Sequence, residues 1–135
     1  MIGLDTNVLV RYMAQDEPKQ SAIATRLIER QLSPSDPGFV SLVVLAELCW
    51  VLARLYSATT DELTAAVQDL LDTPQIHLDS RDAVIATVQY MNAHKGAKAG
   101  FADALIAQLA AAQGCSHTVS FDRLAVRSAG MVLLS

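Results

Sequence analysis

The chain has 135 residues and is poor in cysteine, with only Cys49 and Cys115. Two cysteines without CxxC spacing make no disulfide framework, so a reducing, cytoplasmic setting is expected. Both lie in apolar neighbourhoods and read as buried thiols. Basic runs are absent as well. Ten Lys and Arg stand against 14 Asp and Glu, a formal net charge of -4. That balance argues against a simple basic nucleic-acid binder, which carries a Lys/Arg excess or stripe. Long apolar runs are also missing. The longest, 42–53, is broken by Glu47 and too short to span a bilayer, so no membrane association is expected. The N-terminus lacks a basic segment and carries Asp5, which argues against a signal peptide.

What is present is apolar. Hydrophobic residues make up 52% of the chain and charged ones 18%, a composition that disorder does not tolerate. The length suits one domain, expected over residues 1–135, with a core large enough to fold without disulfides. Short apolar segments at 2–4, 39–41, 76–78, 117–120 and 131–134 read as strands. Longer segments of helical periodicity lie between them, at 6–14, 20–32, 42–56, from 60 to Pro74, up to about His94, at 101–113 and at 121–125. Residues 33–38, with two prolines and a glycine, form the clearest loop, and Gly114 stops the Ala-rich helix. Strands alternate with helices, and no turn signal marks a hairpin. The expected fold is therefore α/β, three-layered, with a mainly parallel central sheet of about five strands.

Four acids stand where folding alone gives little reason for them. Asp5 is the only charge in the first ten residues, Glu47 the only one between Pro37 and Ala53, and Asp103 the only one between Ala99 and Phe121. An ionised carboxylate in apolar surroundings costs several kcal/mol (roughly 3–5) unless it is paired or metal-bound. Asp122 joins them by position, since it follows a strand as Asp5 does. Parallel sheets bind ligands beyond the carboxyl ends of their strands, so all four are expected to converge there. Oxygen donors without His or Cys suit a hard cation such as Mg²⁺ or Mn²⁺. Each acid has a plainer alternative. Asp5 and Asp122 suit helix caps, Asp103 suits a helix dipole, and Glu47 has a distant salt bridge, poorly met by Arg54. The joint pattern favours the cation.

Ile2-Gly3-Leu4-Asp5-Thr6-Asn7, then Ser41 to Leu48 around Glu47, then Phe101-Ala102-Asp103-Ala104-Leu105-Ile106-Ala107, then Val119-Ser120-Phe121-Asp122, follow one another with ordinary spacing. In that order they resemble the motifs of PIN-domain ribonucleases over nearly the whole chain, most closely a VapC-type toxin of a toxin–antitoxin pair. The resemblance implies an endoribonuclease that uses one or two Mg²⁺ or Mn²⁺ ions. Asp5, Glu47, Asp103 and Asp122 map onto the catalytic, metal-holding acids, with Asp5 and Asp103 first for direct contact. Asn7 and Ser120 map onto supporting polar positions, and Thr6 more weakly. Ser120 stands where Thr is usual, which keeps the hydroxyl. Gly100 stands where many relatives carry a further acid, which leaves one or two ions open. The resemblance also implies a homodimer and a cognate antitoxin protein that blocks the site. Water activated at the metal would attack an RNA phosphodiester, leaving a 5′-phosphate and a 3′-hydroxyl.

Arg11, Lys95, Lys98, Arg123 and Arg127 are candidate phosphate contacts, although each taken singly reads better as solvated surface. Lys98 and Arg123 lie nearest the acidic motifs and are the RNA-binding candidates. Trp50, Leu52, Leu55 and Tyr56 read as core before they read as a groove for an antitoxin segment. The three histidines show no ligand spacing. Alternative readings are a PIN-like nuclease in general RNA processing, a phosphatase-like domain (poorly supported, since Asn7 stands where a second Asp would be needed), and a cation-binding interaction module without catalysis. Removing the four acids from the 14 leaves ten against ten bases, so the whole formal excess of -4 equals the expected site.

Overall fold

The computed structural model describes residues 1–96 and 100–134. Two compact units divide the chain: residues 1–57 with 69–81, and residues 58–68 with 82–135. Among the described residues the named strands pair in parallel, as the alternation of strands and helices predicts.

In the first unit, β1 (Ile2–Gly3) pairs with β2 (Gly38–Val40), which pairs with β3 (Ile76–Leu78). Gly3 lies opposite Phe39, and Phe39 opposite His77. Asp5, Ser41 and Asp79 therefore occupy matching places just past the carboxyl ends of the three strands. Gly38 packs tightly: a Cβ there would come within 2.7 Å of Leu4 Cδ1, so the Leu4 and Leu32 side chains would have to shift. Helix α1 (Thr6–Ala14) has its expected bounds. Helix α2 (Pro18–Arg26) starts on a proline at N1 and runs into a π-helical turn, Leu27–Gln31, closed by the Leu32 N–H donating to Leu27 O at 2.9 Å. Helix α3 (Leu42–Leu55) is capped by Ser41, whose Oγ accepts the Val44 N–H at 3.2 Å. Leu9, Ile28, Val40, Leu45, Leu48 and Leu78 are almost wholly buried and make the core of this unit.

Helix α4 (Thr60–Leu71) begins in the second unit and ends in the first. Thr59 and Glu62 form a reciprocal capping box at its start, and these hydrogen bonds lower the Glu62 pKa. The second unit also holds most of α5 (Arg81–Ala93), all of α6 (Phe101–Ala112) and α7 (Arg123–Ser128), and the pair β4 (Val119–Ser120) and β5 (Val132–Leu133). Helix α6 ends in a Schellman motif. The N–H groups of Gly114 and Cys115 donate to Ala111 O and Ala110 O, with Gly114 at φ 89°. Helix α7 begins two residues later than its expected start, because Asp122 caps it and leaves Phe121 outside, 77% exposed. Ala125, Ala129 and Met131 pack together as a small core beneath α7.

Two expectations about burial fail. Cys49 is buried, and desolvation pushes its thiol up to about 12, but Cys115 is exposed. Of the four large residues late in α3, only Leu52 is core. Trp50 is 58% exposed and Leu55 70%, and Tyr56 is also exposed. Arg54 lies over the Trp50 ring, 5.6 Å from its centroid, instead of pairing with Glu47.

Candidate active site

Asp5 stands two residues past the end of β1, after Leu4, and is the N-cap of α1. Its Oδ1 accepts the Thr6 N–H at 2.8 Å, which leaves Oδ2 for another partner. The plain reading as a cap and the functional one are thus both open to one side chain. Glu47 is the sixth residue of α3, about one and a half turns from its start. Helices α1 and α3 pack together, and between them lies a cavity of about 320 Å³. Asp5, Thr6, Asn7 and Glu47 line it together.

The acids are not buried in apolar surroundings, as the sequence suggests. Asp5, Glu47 and Asp122 are exposed, and Asp103 is half-buried. An apolar sequence neighbourhood is not an apolar spatial one, because a helix turns a residue out between two that it buries. Glu47 stands out beside buried Leu45 and Leu48 in this way. The desolvation cost that singled these acids out is therefore small. Asp5 and Glu47 lie open to a ligand in the cavity that they both line. No ion pair joins Asp5 or Glu47 to a basic side chain among the described residues.

In the second unit, Asp103 sits in the first turn of α6, where its N–H donates to Gly100 O at 3.2 Å. Asp122 caps α7 by accepting the Leu124 N–H on Oδ1 at 2.9 Å. Its own N–H donates to Ser120 Oγ at 3.0 Å, so the Ser120 hydroxyl fixes the turn that presents Asp122. Arg123 follows at the start of α7, exposed. Lys98 lies outside the described residues.

The cavity's donors are all oxygen: two carboxylates, the Asn7 amide and the Thr6 hydroxyl. Thr6 Oγ1 is buried and has no hydrogen-bond partner. That set fits a hard divalent cation and suits no soft metal. Among the described residues no group of three or more His, Cys, Asp or Glu side chains is arranged to hold a metal. Mg²⁺ does not require one, since it keeps several waters and takes one or two carboxylates alongside phosphate oxygens.

Arg11, a candidate phosphate contact that reads from the sequence as solvated surface, lies farther along the same cavity. Arg11 lines it, and its Nε donates to Gln20 Oε1 at 2.9 Å. Its Nη1 donates to Asp16 Oδ1 at 3.3 Å and reaches the Tyr56 hydroxyl at 3.5 Å. The Tyr56 hydroxyl in turn donates to Asp16 Oδ2 at 2.7 Å. These bonds, Tyr56 first, hold the Asp16 carboxyl below its usual range, and the same bond raises the Tyr56 phenol. Arg11 is therefore a fixed residue and not free surface. Arg11, Asp16 and Gln20 are near enough in sequence to suggest a link, but nothing signals Tyr56. The histidines stay with their neighbours: His77 stacks on Phe39, His94 on Tyr90, and His117 meets Ser116 Oγ.

No curated protein matches the chain. The family model of the PIN domain matches residues 2–129.

Proposed function

Because the chain belongs to the PIN-domain family, whose fold is of nuclease type and generally metal-dependent, we propose that it is a Mg²⁺- or Mn²⁺-dependent endoribonuclease and the toxin of a type II toxin–antitoxin pair. The observation that carries this reading is the cavity in which Asp5 and Glu47, 42 positions apart, meet with Thr6 and Asn7. Residues 1–135 act in it as one PIN-like domain. The toxin role rests on the resemblance, within the family, to a VapC-type toxin. A homodimer, a cytoplasmic setting and an antitoxin protein that covers the acids belong to the same reading.

Asp5 Oδ2 and the Glu47 carboxylate are the first candidates to hold an ion in the cavity that they line, and Asp103 and Asp122 are proposed as metal-holding acids by their match to the family's motifs. When bound, such an ion lowers the pKa of a water and neutralises charge on the phosphate. The protein's own part is to hold and orient. Asp5 is anchored by its cap bond, and Asn7, in the first turn of α1, is placed to orient a water or a phosphate oxygen. Ser120 keeps Asp122 at the start of α7. A water oxygen bonds to phosphorus, the bond from phosphorus to the 3′ oxygen breaks, the attacking water's proton passes to a carboxylate, and the 3′ oxygen takes a proton from solvent. The products are a 5′-phosphate and a 3′-hydroxyl.

The test is incubation of the purified chain with RNA, with Mg²⁺ or Mn²⁺ and with EDTA, followed by mapping of the new ends. Metal-dependent cuts bearing 5′-phosphates are expected, and they should vanish in Asp5→Asn. Growth arrest on induction of the parent but not of Asp5→Asn supports the toxin role. Unimpeded growth with intact nuclease activity favours RNA processing instead.

A further inference from the structure

Arg11 stands one helical turn beyond Asn7 on α1, and both line the cavity that holds Asp5 and Glu47. Among the described residues it is the only basic one in that lining. Its side chain is 32% exposed and is gripped from three places: Asp16 after α1, Gln20 on α2 and Tyr56 at the end of α3. Nε and Nη1 make these bonds, and Nη2 takes no part in them. A guanidinium held flat, with a donor nitrogen to spare, has already lost the freedom that binding an anion would otherwise cost it. Asp16 orients it but also offsets its charge, so recognition here rests on directed hydrogen bonds to a phosphate more than on net charge.

The rest of this end is apolar. Val10 on α1 and Val51 and Leu55 on α3 line it, with Leu55 70% exposed. Glu47, Val51 and Leu55 are spaced by four residues, so they form one stripe that runs from the acids towards Tyr56. Over those eight residues the helix rises about 12 Å. An apolar wall beside a fixed guanidinium suits one nucleotide, with its base on the wall and its phosphate on the cation.

We propose that this end of the cavity is a nucleotide subsite. Arg11 binds the phosphate of a nucleotide next to the bond that is cut, and Val10, Val51 and Leu55 receive its base. The inference rests on the nuclease reading above and goes beyond it by assigning the cavity wall to substrate.

The experiment measures binding of a fluorescein-labelled short single-stranded RNA to the full chain by anisotropy, in EDTA, across a range of KCl concentrations. Arg11→Gln should weaken binding several-fold and lower the steepness of log affinity against log salt by up to about 0.7, the share of one full phosphate contact on a single strand, which the Asp16 pairing reduces. Arg11→Lys should keep the slope and lose affinity. Leu55→Asp, at an exposed position, should weaken binding while the protein melts as the parent does. A folded Arg11→Gln with the parent's slope overturns the phosphate contact, and parental binding by Leu55→Asp overturns the base wall. If Arg11→Gln does not fold, Leu55→Asp and Arg11→Lys decide the outcome. A parent chain that cuts RNA while these variants bind as it does defeats the subsite alone. A parent that neither binds nor cuts RNA defeats the nuclease reading and the subsite with it.

Discussion

The Oδ1 of Asp5 accepts the backbone N–H of Thr6 at 2.8 Å, so one carboxylate starts α1 with one oxygen and faces the cavity shared with Glu47. The two duties separate by substitution. Asp5→Asn keeps a capping oxygen, and Asn ranks with Asp as a cap, so stability should change by no more than about 0.5 kcal/mol. Cleavage should fall by at least about a hundred-fold, because a group on the ion matters no less than the groups behind it. Asp5→Ala should lose the same activity and a further ~1 kcal/mol in urea denaturation.

Metal binding should register without catalysis. An ion that binds only the folded chain stabilises it by about 1.4 kcal/mol at ten times its Kd. Melting in the presence of Mg²⁺ should therefore shift upward for the parent and by much less for Glu47→Gln. An equal shift in both would remove Glu47 from the ion.

Ser120 should act through Asp122. Ser120→Ala removes the acceptor of the Asp122 N–H and should cost about 1 kcal/mol together with part of the activity. Ser120→Thr retains the hydroxyl and should stay close to the parent in both. If Ser120→Ala is as active as Ser120→Thr, the turn does not need that bond.

Alkali should find Cys49. Burial raises its thiol to about 12, against roughly 8.5 in an unfolded chain. The folded state thus holds a proton that the unfolded state has released. Stability is unaffected below about pH 8.5 and falls between there and pH 12, by up to about 1.4 kcal/mol per pH unit. The difference in stability between the parent and Cys49→Ala should narrow across that window. At pH 8 an alkylating reagent should label exposed Cys115 and spare Cys49 until the chain is unfolded.

Trp50 is the only tryptophan and is 58% exposed, so its emission should be that of a wet indole, readily quenched by iodide. Trp50→Ala should cost no more than about 1 kcal/mol, the order of its contact with Arg54. Leu45→Ala, at a fully buried position of the same helix, should cost about 2–5 kcal/mol.

Much of the fold is legible from local chemistry. The span of α1 follows from an Asp cap and helical spacing, the end of α6 from Gly114, and the strand at 76–78, with the one expected at 39–41 and found at 38–40, from short apolar runs between breakers. Parallel pairing follows from helices long enough to cross over between strands. The misreadings are equally local. Helix α7 begins at Arg123 because Asp122 was available as a cap, and the π-helical turn at Leu27–Gln31 leaves no mark in composition or spacing.

The site divides along the same line. Four acids in apolar stretches, matching family motifs in order, are a property of the one-dimensional chain and need no coordinates. Their physical state does need them. Helical geometry turns Glu47 outward between buried Leu45 and Leu48, so it is open to a ligand and is not a desolvated charge. Only packing of α1 against α3 brings Glu47 to the cavity of Asp5. Only the same packing carries Tyr56 to Arg11 and Asp16, because side chains 40 and more residues apart meet through the core and not through any periodicity. The scarcity of basic residues stands as read. The structure adds that one of the ten, Arg11, is held in place at the acids' own cavity, and there position matters more than number.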